Sequence, residues 1–298
     1  MGTKSIERSG LDMSKKDNKE NKTKEIFNKI VEGVQNIVNS GEYAKFLKFS
    51  KNFHNYSFNN VLLIFSQMEE ATRVAGFAKW KSMGRNLKKG AKGIQIIYPI
   101  KRSYTKKKLE GQDSLLDDNN KEQEVEYMTY RYTYVYDISQ TVGKPLPLEN
   151  NALNSDNKKE FYKFLKTFSP YKIEEEDIFG TAKGYWIEKE QKIIIKKSLS
   201  IDDKVSVLLH ELTHAFYDDF DYKEDRNLSE TFVESVAFIV ADYFDLDTSL
   251  CSFEYIASWV GEDTKIILEL GNKIQKCANS FIKKLEEFYN NGNLQIAI

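Results

Sequence analysis

Three histidines, two cysteines and four prolines are all that 298 residues contain of those types. Cys251 and Cys277 have no metal-binding or redox spacing, and so small a number in a chain of this size fits a reducing, cytoplasmic setting. Long apolar runs are also missing. The longest, Val236 to Ala241, is far too short to span a bilayer, so no membrane partner is expected. Residues 1–22 are charged and have no apolar signal-peptide core, which predicts a disordered leader and no secretory signal. Nor is there a large net charge: the total is −1.

That total conceals a strong asymmetry. Fifteen Lys and Arg lie between Lys45 and Lys108, opposed only by Glu69 and Glu70, a surplus of +13 that leaves −14 for the rest of the chain. Such a basic stretch predicts a polyanionic partner. Phe53, Tyr56, Phe58, Phe77 and Trp80 interleave with the cations, the combination used to hold single-stranded nucleic acid: charge for the phosphates and ring faces for the bases. Candidate contacts are Tyr56, Asn60, Arg73, Trp80, Lys81, Arg85, Lys88, Lys89 and Lys92. Trp80 could equally be a core anchor. His54 reads as a neutral residue. The turn from Arg85 to Gly93 offers both backbone and side-chain donors to phosphate.

The scarcity of histidine makes the placement of the other two informative. They stand in His210-Glu211-Leu-Thr-His214, inside an apolar helical stretch. Positions i and i+4 share a helix face, so both imidazoles can reach one Zn²⁺ while Glu211 sits beside them to take a proton from bound water. Burying two His and a Glu without a shared ligand would leave polar groups unpaired. A third ligand is needed. Acids in Asp218-Asp-Phe-Asp-Tyr-Lys-Glu-Asp225 read as solvated loop, which leaves Glu230 and Glu234 on the next helix. Glu234, deeper in that helix, is the preferred ligand, with Glu230 as the alternative or as a partner to a ligand imidazole.

Periodicity divides the chain into two α+β parts. The first, residues 23–142, opens with an amphipathic helix from Glu25 to Ser40 and a second from about Phe58 to Met68. Glycine-marked turns follow between Gly76 and Gly93. Strands are expected at Ile94–Ile100 and Met128–Tyr136, separated by a polar loop from Lys101 to Gln123. Pro145 and Pro147 mark a linker, residues 143–157. The second part, residues 158–292, begins with a helix from Glu160 to Phe168, then a hairpin from Gly184 to Lys196. Ser200 caps the histidine helix, a long apolar helix ends near Tyr243, and a last amphipathic helix spans Asp263 to Tyr289.

The stretch from Gly184 to Asp247 resembles the ImmA/IrrE-like metallopeptidases, in which a hairpin leads into the His-Glu-x-x-His helix and a segment like Glu234-Ser-Val-Ala-Phe238 follows. A wider resemblance covers most of the chain. Tyr56-Ser-Phe-Asn-Asn-Val-Leu-Leu-Ile64, Ala71 to Trp80, Gly84 to Ile94 and Tyr136-Asp-Ile-Ser-Gln-Thr141 look like the N-terminal single-stranded-DNA-binding domain of ArdC-type antirestriction proteins. Ser252 to Trp259 is similar to the LtrC-like branch of Gram-positive conjugative elements. The resemblance implies a single-stranded-DNA-binding domain, a zincin-like (gluzincin-type) metallopeptidase domain, and protection of incoming conjugative DNA in a recipient. It does not supply a role for the charged insertion at 101–126 or a protein substrate. Two other readings stay open: a regulatory protease that cuts a repressor, and a DNA-binding protector whose metal domain is catalytically idle.

Overall fold

The computed structural model describes residues 25–26, 28–37, 42–106, 123–146, 158–220, 226–246 and 264–291. The leader and nearly all of the linker expected at 143–157 lie outside them, as does Ser252 to Trp259.

Helix α1 (residues 28–37) buries Ile30, Val34 and Ile37, the stripe expected of an amphipathic helix. Two further helices, α2 (Tyr43–Ser50) and α3 (Phe58–Gln67), follow. The Ser57 hydroxyl accepts the Asn60 N–H and caps α3. A three-stranded sheet of order β1-β4-β3 is formed by β1 (Val74–Ala75), β3 (Ile94–Lys106) and β4 (Gln123–Asp137). Strands β3 and β4 pair antiparallel from Ile94↔Val135 out to Lys106↔Gln123. The loop expected from Lys101 to Gln123 is therefore shorter than its polarity suggested: a solvated strand arm needs no apolar face, and backbone pairing carries it outward.

The turn region expected between Gly76 and Gly93 contains a short helix, α4 (Phe77–Ser82), and β2 (Arg85–Leu87), which pairs with β5 (Thr141–Gly143). At Gly143 (φ 144°) a side chain would strike the Gly84 carbonyl, so the crossing requires glycine.

β3 is an edge strand, and α3 covers that edge. The Asn60 amide donates to the Ile97 carbonyl (2.8 Å) and accepts the Ile97 N–H (2.9 Å). Two turns further along α3, Gln67 does the same for Gln95, at 2.9 Å in both directions. Two side-chain amides thus stand in for a neighbouring strand. Pro99 occupies the next outward-facing position, where it has no N–H to leave unpaired.

Beyond the linker, α5 (Lys158–Phe168) precedes a second sheet of order β6-β8-β7, made of β6 (Lys172–Glu176), β7 (Gly184–Ile187) and β8 (Lys192–Lys196). β8 is central and its Ile193, Ile194 and Ile195 are buried. It runs antiparallel to β7, as the hairpin pattern predicts, and parallel to β6. Helices α6 (Ile201–Tyr217), α7 (Arg226–Tyr243) and α8 (Thr264–Asn290) pack in succession over it.

The two parts share one apolar core. α2 packs on α7 and α3 on α8. The Tyr43 and Ser235 hydroxyls meet at 2.9 Å inside it, and Gln275 donates to the Phe53 carbonyl at 3.1 Å. Gly271 on α8 admits the Phe58 ring, which a Cβ at that position would overlap.

Candidate metal centre

Ser200 starts α6: its hydroxyl accepts the Asp203 N–H at 3.1 Å and donates to the Asp203 carboxylate at 2.6 Å. β7 lies close beneath α6, because Gly184 leaves room where a Cβ would be 2.6 Å from Val207. Along the inward face of α6, His210 and His214 bring their Nε2 atoms to 3.2 Å. α7 runs alongside and turns Glu230 toward both, at 3.6 Å from His210 Nε2 and 3.9 Å from His214 Nε2. Two donors each about 2.0–2.1 Å from a tetrahedral ion stand about 3.3 Å apart. The donor set of two imidazoles and one carboxylate therefore fits a single divalent ion in both chemistry and spacing.

This reverses the expected order of the two glutamates. Glu234 sits behind His210, 3.4 Å from its Nδ1, and Glu230 faces the two Nε2 atoms. The reason is the offset between antiparallel helices: the point of α7 level with the histidine pair is nearer its N-terminus than its apolar pattern suggests.

The stretch expected to be solvated loop supplies a second partner. Asp218 ends α6, one turn beyond His214, and its Oδ2 accepts from His214 Nδ1 at 2.7 Å. Ser229 donates to the same oxygen at 2.6 Å, and the Phe220 N–H to the other at 3.2 Å. Each histidine therefore has its Nδ1 engaged by a carboxylate, leaving Nε2 for a ligand. The signal for Asp218 was present in the sequence, as His214 and Asp218 are i, i+4.

Glu211 is buried beside the histidines and accepts the Trp186 N–H from β7. Burial lifts its pKa, opposed by the nearby imidazoles. For His210, burial alone would favour the neutral ring. The Glu234 hydrogen bond and the charges of Glu211, Glu234 and Glu230 outweigh it and raise the pKa to about 9. Crowding acids and imidazoles in one buried spot creates a strong demand for positive charge, which a divalent ion meets.

The nucleic-acid candidates separate into two groups. Lys81, Lys88, Lys89 and Lys92 are on the surface. Trp80, a possible stacking ring by its sequence context, is 0% exposed and donates from Nε1 to the Tyr136 carbonyl at 2.8 Å, so it anchors the core and cannot receive a base. Asn60 is taken up in clamping β3. Arg85 ties β2 to β5, its guanidinium donating to Thr141 Oγ1 (2.8 Å), the Thr141 carbonyl (3.3 Å) and the Lys144 carbonyl (2.5 Å). Tyr56 is half-buried against Phe53 and donates to the Val74 carbonyl at 3.1 Å. Arg73 is half-buried, and its backbone N–H, not its guanidinium, donates to Asp137 at 3.0 Å. The side chains of Trp80, Asn60, Arg85 and Tyr56 hold the fold together, and short-range sequence patterns could not separate that role from DNA contact.

Residues 16–136 match the family of the N-terminal domain of anti-restriction factor ArdC. Most of the chain is similar in fold to the solved antirestriction protein ArdC from the R388 plasmid. Its Mn(II)-bound structure aligns over 87% of this chain and 98% of that one, with a TM-score of 0.55 at 16% identity. The metal-free structure aligns over 79% and 86%, with a TM-score of 0.53 at 17% identity. The first part of the chain is similar to the ArdC N-terminal domain, and the fold resembles that of ArdC. A curated relative, an uncharacterized protein of Bacillus anthracis, is 28% identical over 302 aligned positions and 89% of this chain. The chain spans about half of that relative, 51% of its length. No helix among the described residues is long and apolar enough to cross a membrane.

Proposed function

We propose that this ArdC-like chain is an antirestriction-type protein that binds single-stranded DNA through residues 23–142 and carries a zinc-dependent peptidase site in residues 158–292. Its role would be to protect incoming conjugative DNA in a recipient cell. The observation that carries the peptidase half is the convergence of His210, His214 and Glu230, with Glu211 buried beside them. The Mn(II) held by the R388 ArdC structure supports a divalent ion in this fold, and two imidazoles with one carboxylate suit zinc.

A bound ion would supply Lewis acidity to a water and to a substrate carbonyl. The rest falls to side chains. Glu234 and Asp218 hold the two imidazoles so that Nε2 points inward. Glu211, lifted in pKa by burial, is the base that takes the proton of the attacking water and returns it to the leaving amine. β7 is the outer strand of its sheet and its Trp186 reaches Glu211, so an extended peptide added along that strand would pass the site.

The test is a transfer assay into a restricting recipient, comparing wild type, Glu211→Gln and a variant with the exposed lysines of the first part reversed in charge. Loss only with the charge-reversed variant supports DNA shielding independent of proteolysis. Loss only with Glu211→Gln supports a protease acting on a protein target, which a pull-down with the same inactive variant would capture.

A further inference from the structure

The β3–β4 arm displays more aromatic surface than a solvated hairpin needs. Alternation along β4 puts Tyr130, Tyr132 and Tyr134 on one face, with Met128 continuing the row toward the tip. Tyr130 is 42% exposed, Tyr134 41% and Met128 54%. Tyr132 lies between them, half-buried and packed against the core, its ring centroid 6.0 Å from that of Tyr134. Ring-bearing positions two residues apart in a strand are about 6.8 Å apart, close to twice the stacking distance of bases.

Cations lie at the foot of this row. The Tyr134 ring rests over Gly93, where a Cβ would be 2.9 Å away, and Gly93 closes the turn that carries Lys88, Lys89 and Lys92. Gln140 fixes that turn: its Nε2 donates to the Lys92 carbonyl at 2.8 Å, and its own carbonyl accepts the Lys88 N–H at 2.9 Å. Further out, Lys101 stands opposite Met128 on the same face, its ammonium paired with Glu126 at 2.6 Å, so the phosphate-binding cations are those of the turn. Two exposed tyrosine rings, Tyr130 and Tyr134, above three surface lysines match unpaired bases on one side and phosphates on the other.

We propose that the exposed rings of Tyr130 and Tyr134 on this face of the β3–β4 arm, held apart by the core-packed Tyr132, are the stacking platform for single-stranded DNA, with the Lys88–Lys92 turn holding the phosphates. This rests on the single-strand-binding reading above and moves the stacking role away from Trp80 and Tyr56.

The full-length protein is titrated with labelled oligo-dT by anisotropy over a series of salt concentrations. Tyr130→Ala/Tyr134→Ala should weaken binding roughly thirtyfold or more at every salt concentration, the range for losing two stacked bases, and leave the salt slope unchanged. Tyr130→Phe/Tyr134→Phe should restore it, because the ring face is what acts. Lys88→Ala/Lys89→Ala/Lys92→Ala should flatten the slope, by about 0.7 for each phosphate no longer neutralised. A Tyr130→Trp variant should show indole quenching on adding oligo-dT, a readout that needs no loss of affinity. Wild-type affinity in the folded double-alanine variant, or loss only in Tyr98→Ala/Tyr127→Ala on the opposite face, overturns the assignment while single-strand binding stands. Altered self-association with unchanged DNA affinity overturns it too, making the face an interface between copies. If wild type binds oligo-dT no better than duplex, the single-strand reading itself fails.

Discussion

Asp218 Oδ2 accepts from His214 Nδ1 at 2.7 Å while also accepting from Ser229, so the end of one helix and the start of the next fix the ring of a metal-ligand candidate together. The bonds from His214 and Ser229 hold the Asp218 carboxyl below its usual range although burial pushes it up. Asp218→Asn should therefore keep the fold and weaken metal affinity about 10- to 100-fold, as is typical when a ligand's hydrogen-bond partner is removed. Competition with a chelator of known affinity measures this.

The two glutamates of α7 should behave differently. Glu230→Gln removes a donor atom and should abolish stoichiometric metal binding, whereas Glu234→Gln, touching only His210 Nδ1, should retain it with reduced affinity. Metal content after dialysis distinguishes them. Retention by Glu230→Gln and loss by Glu234→Gln would restore the order that the helix pattern alone suggested.

Glu211→Gln should bind metal as wild type does and lose any peptide hydrolysis, because the amide cannot take a proton. If the variant cleaves a captured substrate at the wild-type rate, Glu211 is not the base.

Gly271→Ala tests the shared core. The added methyl would overlap the Phe58 ring, which is buried and cannot swing aside. Overpacking should cost about 1–3 kcal/mol, outweighing the roughly 1 kcal/mol gained in helix propensity. Since α3 and α8 belong to different parts of the chain, urea unfolding should shift for both as one transition.

Asp137 gives a pH prediction. Burial pushes its carboxyl up, but hydrogen bonds from Ser139, Arg73 and Thr72 outweigh that and hold the pKa below the usual value. Its contribution is thus present above the unfolded carboxylate pKa of about 3.9 and lost as pH falls through the lower folded value. Asp137→Ala should cost about 2–3 kcal/mol near neutral pH, and the gap in urea midpoint from wild type should narrow below about pH 4.

What the sequence determined is what local periodicity can encode. A helix places i and i+4 side by side whatever surrounds it, so the approach of His210 to His214, with Glu211 beside them, was legible from five residues. Strand alternation likewise announced the β3–β4 pair and the β7–β8 hairpin. The concentration of lysine and arginine in one stretch needs no structure to be seen.

Only the tertiary structure decided which groups meet across elements. Whether Glu230 or Glu234 faces the histidines depends on how far α7 slides along α6, and side-chain packing sets that slide. Asn60 and Trp80 look like surface candidates beside basic residues until the edge of β3 and the Tyr136 carbonyl claim them. The parallel partner β6 and the core common to both parts join residues distant in sequence. Their energies come from burial and backbone pairing, which no spacing within a single element reports.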